Sequence, residues 1–189
     1  MMFNTDKLWE RVSAFADAAI ILSEENRRYF TEFPSSDGAL LVYGGKALFF
    51  TDSRYTEAAA KAIGEELVVD STNLYEKFTK IFEENGVKKV AIENHRLTLA
   101  EFDELQKKLP EAEFVTTNEL ADAIEEIRIV KTDAEIEKIK AAQKIAEDAF
   151  SHILTFIKEG MTEKEISLEL DFYMLSHGAD ALSFETIAV

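Results

Sequence analysis

Cysteine is absent from the 189-residue sequence, proline occurs only twice and histidine only three times. Without cysteine there can be no disulfide, no thiolate nucleophile and no Cys-containing zinc site. The histidines, His95, His152 and His177, do not stand in HExxH or another recognised metal-ligand spacing, so the sequence alone indicates no metal site. This composition favours a cytoplasmic protein.

Positive charge is also scarce, with 21 basic against 37 acidic residues and a formal net charge of -16. Such a surface repels the phosphate backbone of nucleic acids and anionic membranes, so we expect neither as a partner. The first residues, MMFNTDKLWERVSAFADAAIIL, mix acidic and basic side chains and lack a long apolar core. We therefore expect neither a signal peptide nor a membrane span.

Three motifs of nucleotide and nucleophile chemistry are missing as well: the GxSxG elbow, the phosphate-binding GxxxxGKS/T loop and GxGxxG. Nucleotide chemistry is therefore unsupported. Structural roles are favoured for the histidines, with packing for His152 and helix capping for His177. His95 follows a predicted strand end, where α/β proteins often bind ligands, but it too is interpreted as structural.

Hydrophobic residues make up 47% of the chain and include fourteen Phe, which is enough for a packed core. Apolar patterns of strand and helix type alternate along the first part of the chain, which predicts an α/β fold. The predicted strands are 18–22, 39–43, 46–50, 67–69 and 88–93. The predicted helices are 6–16, a short helix that Ser23 caps and that runs through Tyr29, 54–63 and 74–85. Gly44 and Gly45 predict a tight hairpin turn between the second and third strands, because glycine supplies positive φ angles.

Three Thr-x-x-Glu capping boxes predict helix starts, pairing Thr98, Thr132 and Thr162 with Glu101, Glu135 and Glu165. The second helix is amphipathic and predicted to reach about residue 158, and the third covers 163–176. The final SFETIAV predicts a strand over 184–189. Since a lone strand cannot satisfy its edge groups, either other chains complete the sheet or the coding sequence continues, and the second is favoured.

Two polar segments flank the predicted hairpin. In TDSRY, Asp52 or Ser53 is expected to cap the following helix and Arg54 to pair with a carboxylate. The loop 31–38 is short, polar and rigidified by Pro34, which suits both a connecting turn and a ligand contact. The connecting turn is the favoured interpretation.

Four segments in the same order and spacing resemble the proline-specific metallopeptidases with a pita-bread catalytic domain: prolidase, aminopeptidase P and creatinase. They are NRRYFTEFPSSDGALLV, TDSRY, IRIVKTDAEIEKIKAAQKIAEDAF, and EGMTEKEI followed by GADALSFETIAV. The resemblance implies that residues 1–122 form a creatinase-type amino-terminal domain, a mixed β-sheet flanked by helices. It also implies a linker at 123–130 and, at 131–189, the first two helices and a strand of an incomplete pita-bread domain.

In the family, segments beyond that strand supply a catalytic histidine and the ligands of two divalent metals, expected to be manganese, cobalt or zinc. The resemblance therefore implies no catalytic or metal-binding residue within this chain. An Xaa-Pro bond is a tertiary amide without an N–H, and a metal pair can activate water and polarise its carbonyl. The implied substrate of the parent enzyme is a proline-containing di- or oligopeptide.

By the same resemblance, this chain alone is expected to be inactive and to act as a lid and homodimer contact. Ser36 and Asp37 are then the substrate-proximal candidates, because the family loop reaches toward the partner's active site. The alternatives are a noncatalytic interaction module and a metal-free creatinase-like hydrolase. One departure concerns the loop's conformation: the family's usual Gly after Tyr-x-Thr is Glu32 here.

Overall fold

A computed structural model describes residues 2–188, and the chain divides into two compact units. Unit 1 is Met1–Val130 and unit 2 is Lys131–Val189. Unit 1 alternates strands and helices, as the sequence predicts for an α/β fold. Its elements are α1 (Thr5–Val12), β1 (Ala18–Ile21), α2 (Glu24–Thr31), β2 (Ala39–Tyr43), β3 (Lys46–Thr51), α3 (Thr56–Ile63), a 3-10 turn (Glu65–Leu67), β4 (Val68–Asp70), α4 (Leu74–Asn85), β5 (Lys89–Ile92), α5 (Leu99–Lys108), β6 (Glu113–Val115) and α6 (Glu119–Ile129).

The six strands form one mixed sheet in the order β4-β3-β2-β1-β5-β6. The β1–β2 and β2–β3 pairs are antiparallel, whereas β1–β5, β3–β4 and β5–β6 are parallel. The predicted hairpin is confirmed: Tyr43 lies opposite Lys46, and Gly44 and Gly45 have φ angles of 53° and 74°. Two successive positive φ angles match the twist of the flanking strands.

The sheet is covered by helices on both faces, so its central strands are buried throughout. In β1, Ala19 and Ile21 join one core with α1, α6 and Phe30, while Ala18 and Ile20 join a second core with α4 and α5. This alternation follows from the two-residue period of a strand. Fully burying a large side chain such as Phe30 stabilises the fold by about 1.5–3 kcal/mol.

Two expected boundaries in unit 1 differ from the structure. The first helix ends at Val12 rather than residue 16, and residues 13–15 form turns. The stretch expected to be a linker, 123–130, is helical through Ile129, because Leu120, Ala123 or Ile124, and Ile127 recur at helical spacing. These side chains are buried, and α6 packs against α1.

Unit 2 contains two helices that pack on each other, α7 (Asp133–Phe156) and α8 (Glu163–Ser176). All three predicted capping boxes are present, with the Thr hydroxyl and the Glu carboxylate each bonded to the other residue's backbone. The predicted strand over 184–189 is wrong for the part that the structure describes, since 184–188 has no strand pairing. An isolated segment has no neighbour to bond its N–H and C=O groups. Val189 lies outside the described residues.

Candidate functional site: the 32–38 loop

The 32–38 loop connects α2 to β2 and contains the two predicted substrate-proximal residues. Its first residue, Glu32, has φ 51° and ψ 19°, the left-handed conformation that often ends a helix. The departure from the family's glycine therefore leaves the backbone in a region that glycine prefers. The Thr31 hydroxyl reinforces this turn, since it donates to Arg27 O at 2.7 Å and accepts from Phe33 N at 3.2 Å.

A buried guanidinium lies beneath the middle of the loop. Arg27, only 3% exposed, donates through one terminal nitrogen to Leu22 O and through the other to Ser35 O, the latter at 2.9 Å. Burial lowers the pKa of Arg27, and this effect is opposed by the charge of Asp37 and of nearby glutamates. Within residues 2–188, the buried Arg27 Nε and Ser35 hydroxyl make no hydrogen bond.

Ser36 and Asp37 are exposed and lie against the TDSRY segment, so the structure brings these two motifs together. The Ser36 hydroxyl is 2.9 Å from the Tyr55 hydroxyl, which also accepts from Ser36 N at 3.5 Å. These hydrogen bonds lower the pKa of Tyr55. Asp37 Oδ1 accepts from Gly38 N at 2.8 Å, and Asp37 Oδ2 is 3.7 Å from an Arg54 terminal nitrogen.

The predicted pairing of Arg54 with a carboxylate is confirmed. Asp52 Oδ1 accepts from Arg54 N at 2.8 Å and Asp52 Oδ2 from Arg54 Nε at 2.9 Å. These bonds lower the pKa of Asp52 and raise that of Arg54. The predicted helix cap is wrong: the N-cap of α3 is Tyr55, with no side-chain cap, because the Asp52 carboxylate is engaged by Arg54.

Sequence reasoning missed a buried carboxylate at the start of α2. Glu93, 3% exposed at the end of β5, accepts from Leu22 N at 2.7 Å, Ser23 N at 2.8 Å, Ser23 Oγ at 2.6 Å and Asn26 Nδ2 at 2.6 Å. The predicted cap of α2 by the Ser23 side chain is therefore wrong, because its hydroxyl donates to Glu93 instead. The sequence signal that could have indicated this carboxylate is the acidic residue directly after a buried strand in IENHR.

The three histidines lie apart from this loop's hydrogen bonds. His95 Nε2 is 3.1 Å from Asn118 Oδ1 in unit 1. In unit 2, His152 Nε2 is 2.6 Å from Glu169 Oε1, and His177 is the C-cap of α8, as predicted. Among residues 2–188, no three His, Cys, Asp or Glu side chains converge in a group that could hold a metal. No helix in the same range has the length and apolarity needed to cross a membrane.

Comparison with protein families gives two matches that follow one another along the chain. Residues 11–130 match the model of the Creatinase/Prolidase N-terminal domain. Residues 137–189 match the model of Metallopeptidase family M24. The boundary between the matches agrees with the division into units 1 and 2.

Individual relatives extend well beyond this chain. The uncharacterized peptidase YqhT of Bacillus subtilis (strain 168) is 38% identical over 90% of this chain but only 48% of its own length. The structure of an Xaa-Pro dipeptidase from Bacillus anthracis superposes with a TM-score of 0.86 at 34% identity, covering 96% of this chain and 50% of that one. The N-terminal domain of the cytoplasmic peptidase PepQ from Mycobacterium tuberculosis H37Rv gives a TM-score of 0.56 at 29% identity, over 64% of this chain and 97% of that domain. The chain thus spans about half the length of the first two.

Proposed function

This chain belongs to the creatinase/prolidase N-terminal domain family, and from that premise we propose that it is the amino-terminal part of an enzyme hydrolysing Xaa-Pro peptide bonds. The observation that carries this proposal is the pair of consecutive matches, to an N-terminal domain over residues 11–130 and to Metallopeptidase family M24 over residues 137–189. A chain of this kind covers about half of its Xaa-Pro dipeptidase relative. The substrate of the longer protein is then a proline-containing di- or oligopeptide.

The proposed metal dependence belongs to the longer protein and not to the residues described here. Residues 2–188 hold no group suited to a metal, so they do not fit a two-metal centre and no hydrolytic step is assigned to them. We expect the ligands of two divalent ions, manganese, cobalt or zinc, to lie in further sequence. From the family resemblance, the role proposed for this chain is that of a lid and dimer contact in a cytoplasmic homodimer.

The apolar surface of unit 2 supports the existence of further covering sequence. Large side chains on α7, α8 and the residues after them are highly exposed, including Phe150 (62%), Phe172 (68%) and Phe184 (75%). Large exposed apolar patches on soluble proteins mark interfaces, and we infer that these side chains contribute to one. The two helices therefore behave as part of a larger core.

Ser36 and Asp37 are the proposed substrate-proximal residues of unit 1. Both are exposed, and Ser36 bonds Tyr55 while Asp37 lies near Arg54, so their side chains are displayed on an ordered surface. An exposed hydroxyl and carboxylate can hydrogen-bond a peptide amide or amino group. This interpretation is an extension of the family resemblance to these two positions.

The proposal is tested by comparing this chain with the product of the open reading frame read past Val189. Both proteins are incubated with an Xaa-Pro dipeptide and manganese or cobalt, with the corresponding Xaa-Ala dipeptide as the matched control. We expect the longer protein to release proline in a metal-dependent manner and this chain to release none.

Turnover by the pure 189-residue chain, or a longer protein inactive on every Xaa-Pro peptide, would contradict the proposal. The second outcome would favour a noncatalytic interaction module. Activity that persists after metal removal would favour a metal-free creatinase-like hydrolase.

Sedimentation of this chain at several concentrations tests the proposed dimer. A monomer at every concentration would show that the contacts of unit 1 are not sufficient for dimerisation.

A further inference from the structure

The polar interior beside the 32–38 loop contains a cation whose bonds go to backbone carbonyls. Within residues 2–188, the hydrogen bonds of the Arg27 guanidinium join Leu22 O, at the end of β1, to Ser35 O, in the middle of the loop. Taking a cation out of water is costly, and an apolar side chain of similar length would fill the space without that cost. What only the guanidinium supplies is a rigid fork of donors that can hold two acceptors at once.

We propose that Arg27 is a positioning residue that presets the conformation of the 32–38 loop and thereby the placement of Ser36 and Asp37. It acts through the Ser35 carbonyl, one residue before Ser36, and touches neither of the two exposed side chains by a hydrogen bond in the described residues. The functional meaning of this placement rests on the proposed substrate-proximal role of Ser36 and Asp37. The effect of Arg27 on the loop conformation is inferred from its hydrogen bonds and does not depend on that role.

Other contacts constrain the two ends of the loop. Arg27 therefore affects the conformation of the middle of the loop. At the start, Thr31 bonds Phe33 N. At the end, Gly38 lies so close to β3 that a Cβ atom there would be 2.5 Å from Phe50 O. Between these anchors, Pro34 has no N–H to donate, so the Ser35 carbonyl is the backbone group that ties the middle of the loop to the interior.

A second contact holds the loop from the outside. The Tyr55 hydroxyl bonds the Ser36 side chain at 2.9 Å, and Arg54 lies 3.7 Å from Asp37. These contacts are exposed to water and so contribute less than a buried charge-assisted bond. The buried Arg27 guanidinium and the exposed Tyr55 hydroxyl therefore fix the backbone conformation at Ser35 and Ser36. A loop ordered in advance loses less entropy when it meets a ligand.

The test measures backbone amide order parameters of the full chain by NMR relaxation, with no substrate present. In Arg27→Met, which keeps the aliphatic packing, we expect the order parameters of the Ser35, Ser36 and Asp37 amides to fall from about 0.85 to below about 0.6. The amides of β1 and β2 should keep their values. The control is Arg11→Met, at an arginine of α1 whose hydrogen bonds go to Glu126 and to Lys7 O, outside the loop, and it should leave the loop unchanged.

The conservative variant separates fork geometry from charge. Arg27→Lys keeps the cation, but one ammonium cannot occupy both donor positions of the fork, so we expect the loop to loosen here too. A folded Arg27→Met with wild-type loop order, or equal loosening in Arg11→Met, would overturn the proposal. If Arg27→Met does not fold, Arg27→Lys decides, and wild-type loop order in it would be the contrary result. A loop that loosens as expected in a chain whose longer form lacks Xaa-Pro activity would leave this inference standing while the proposed function fails.

Discussion

At the scale of single residues, Glu32 adopts a left-handed backbone conformation that usually favours glycine. An L-residue in the left-handed region brings its Cβ close to the following carbonyl, at a cost of about 1–2 kcal/mol. Glu32 nonetheless has φ 51° where α2 ends. The surrounding contacts, from the Thr31 hydroxyl to the Arg27 fork, over-determine this conformation.

Glu32→Gly should therefore be more stable than Glu32→Ala by about 1 kcal/mol, because both remove the same side chain and only glycine relieves the left-handed strain. Urea unfolding of both variants measures this difference as a shift of the midpoint at constant slope. The control is the same pair of changes at Glu83, which is exposed within the right-handed α4. There the glycine variant should be the less stable by about 1 kcal/mol. If the glycine variant is less stable than the alanine variant at both Glu32 and Glu83, the strain at Glu32 is contradicted.

At the scale of elements, a carboxylate at each end of strand β1 joins backbone and side chain from segments that are distant in sequence. Glu93 bonds the backbone after the end of β1 at Leu22 and Ser23. Asp17, just before β1, accepts from Lys88 N at 2.9 Å and Lys89 N at 2.8 Å through Oδ2. The carboxylate of Asp17 thus aligns the start of β1 with the start of β5, its parallel neighbour.

The hydrogen bonds from Lys89 N and Lys88 N lower the pKa of Asp17 below its ordinary value. Because the folded-state pKa is the lower one, the stability that the carboxylate contributes is present above its ordinary pKa. It is lost as the pH falls through the lowered folded-state pKa. Asp17→Asn should reduce the free energy of unfolding near neutral pH by about 1 kcal/mol, a value kept small because the side chain is largely exposed.

Urea unfolding at pH 7 and near pH 3 checks the Asp17 prediction, since the gap between wild type and Asp17→Asn should narrow in acid. Asp103→Asn, at an exposed position on α5, is the matched control and should change the free energy of unfolding by less than about 0.5 kcal/mol. A gap that stays constant with pH would show that the charge of Asp17 is not what holds the strand.

At the scale of the whole molecule, the two units differ in how much apolar surface they bury. Unit 1 has two cores, one on each face of its sheet, with Phe30, Phe49, Phe50 and Phe78 fully buried. In unit 2, Ala149 and Ile153 are buried, but about half of the large apolar side chains of α7 and α8 are exposed and most of the others are half-buried. Unit 1 therefore has what an independent domain needs, whereas unit 2 buries few of its large apolar side chains.

A shortened chain of residues 1–130 should fold by itself and unfold cooperatively in urea, because its cores are internal to it. It should also bind less of the fluorescent dye ANS per molecule than the full chain, since the exposed apolar side chains of α7 and α8 are gone. Circular dichroism and dye titration at matched concentration measure both effects. An unfolded 1–130 chain, or equal dye binding, would contradict the assignment of the exposed surface to unit 2.

Features determined by a few neighbouring residues could be predicted from the sequence. The capping boxes at Thr98, Thr132 and Thr162, the Gly44-Gly45 hairpin and the bounds of α4 agree with the structure. In each case the backbone groups are satisfied by partners within about four residues, so the chemistry is readable locally. The family resemblance likewise rests on segments that lie in order along the chain.

Only the tertiary structure decided which distant groups meet. The Glu93 carboxylate replaces the expected Ser23 cap from about seventy residues away in the chain, and Arg27 crosses beneath the loop to Ser35. The same dependence on distant partners explains the missing final strand: SFETIAV has strand-like residues, but residues 184–188 find no neighbouring strand. Local pattern determines what a segment can form, whereas burial and long-range hydrogen bonding determine what it does form.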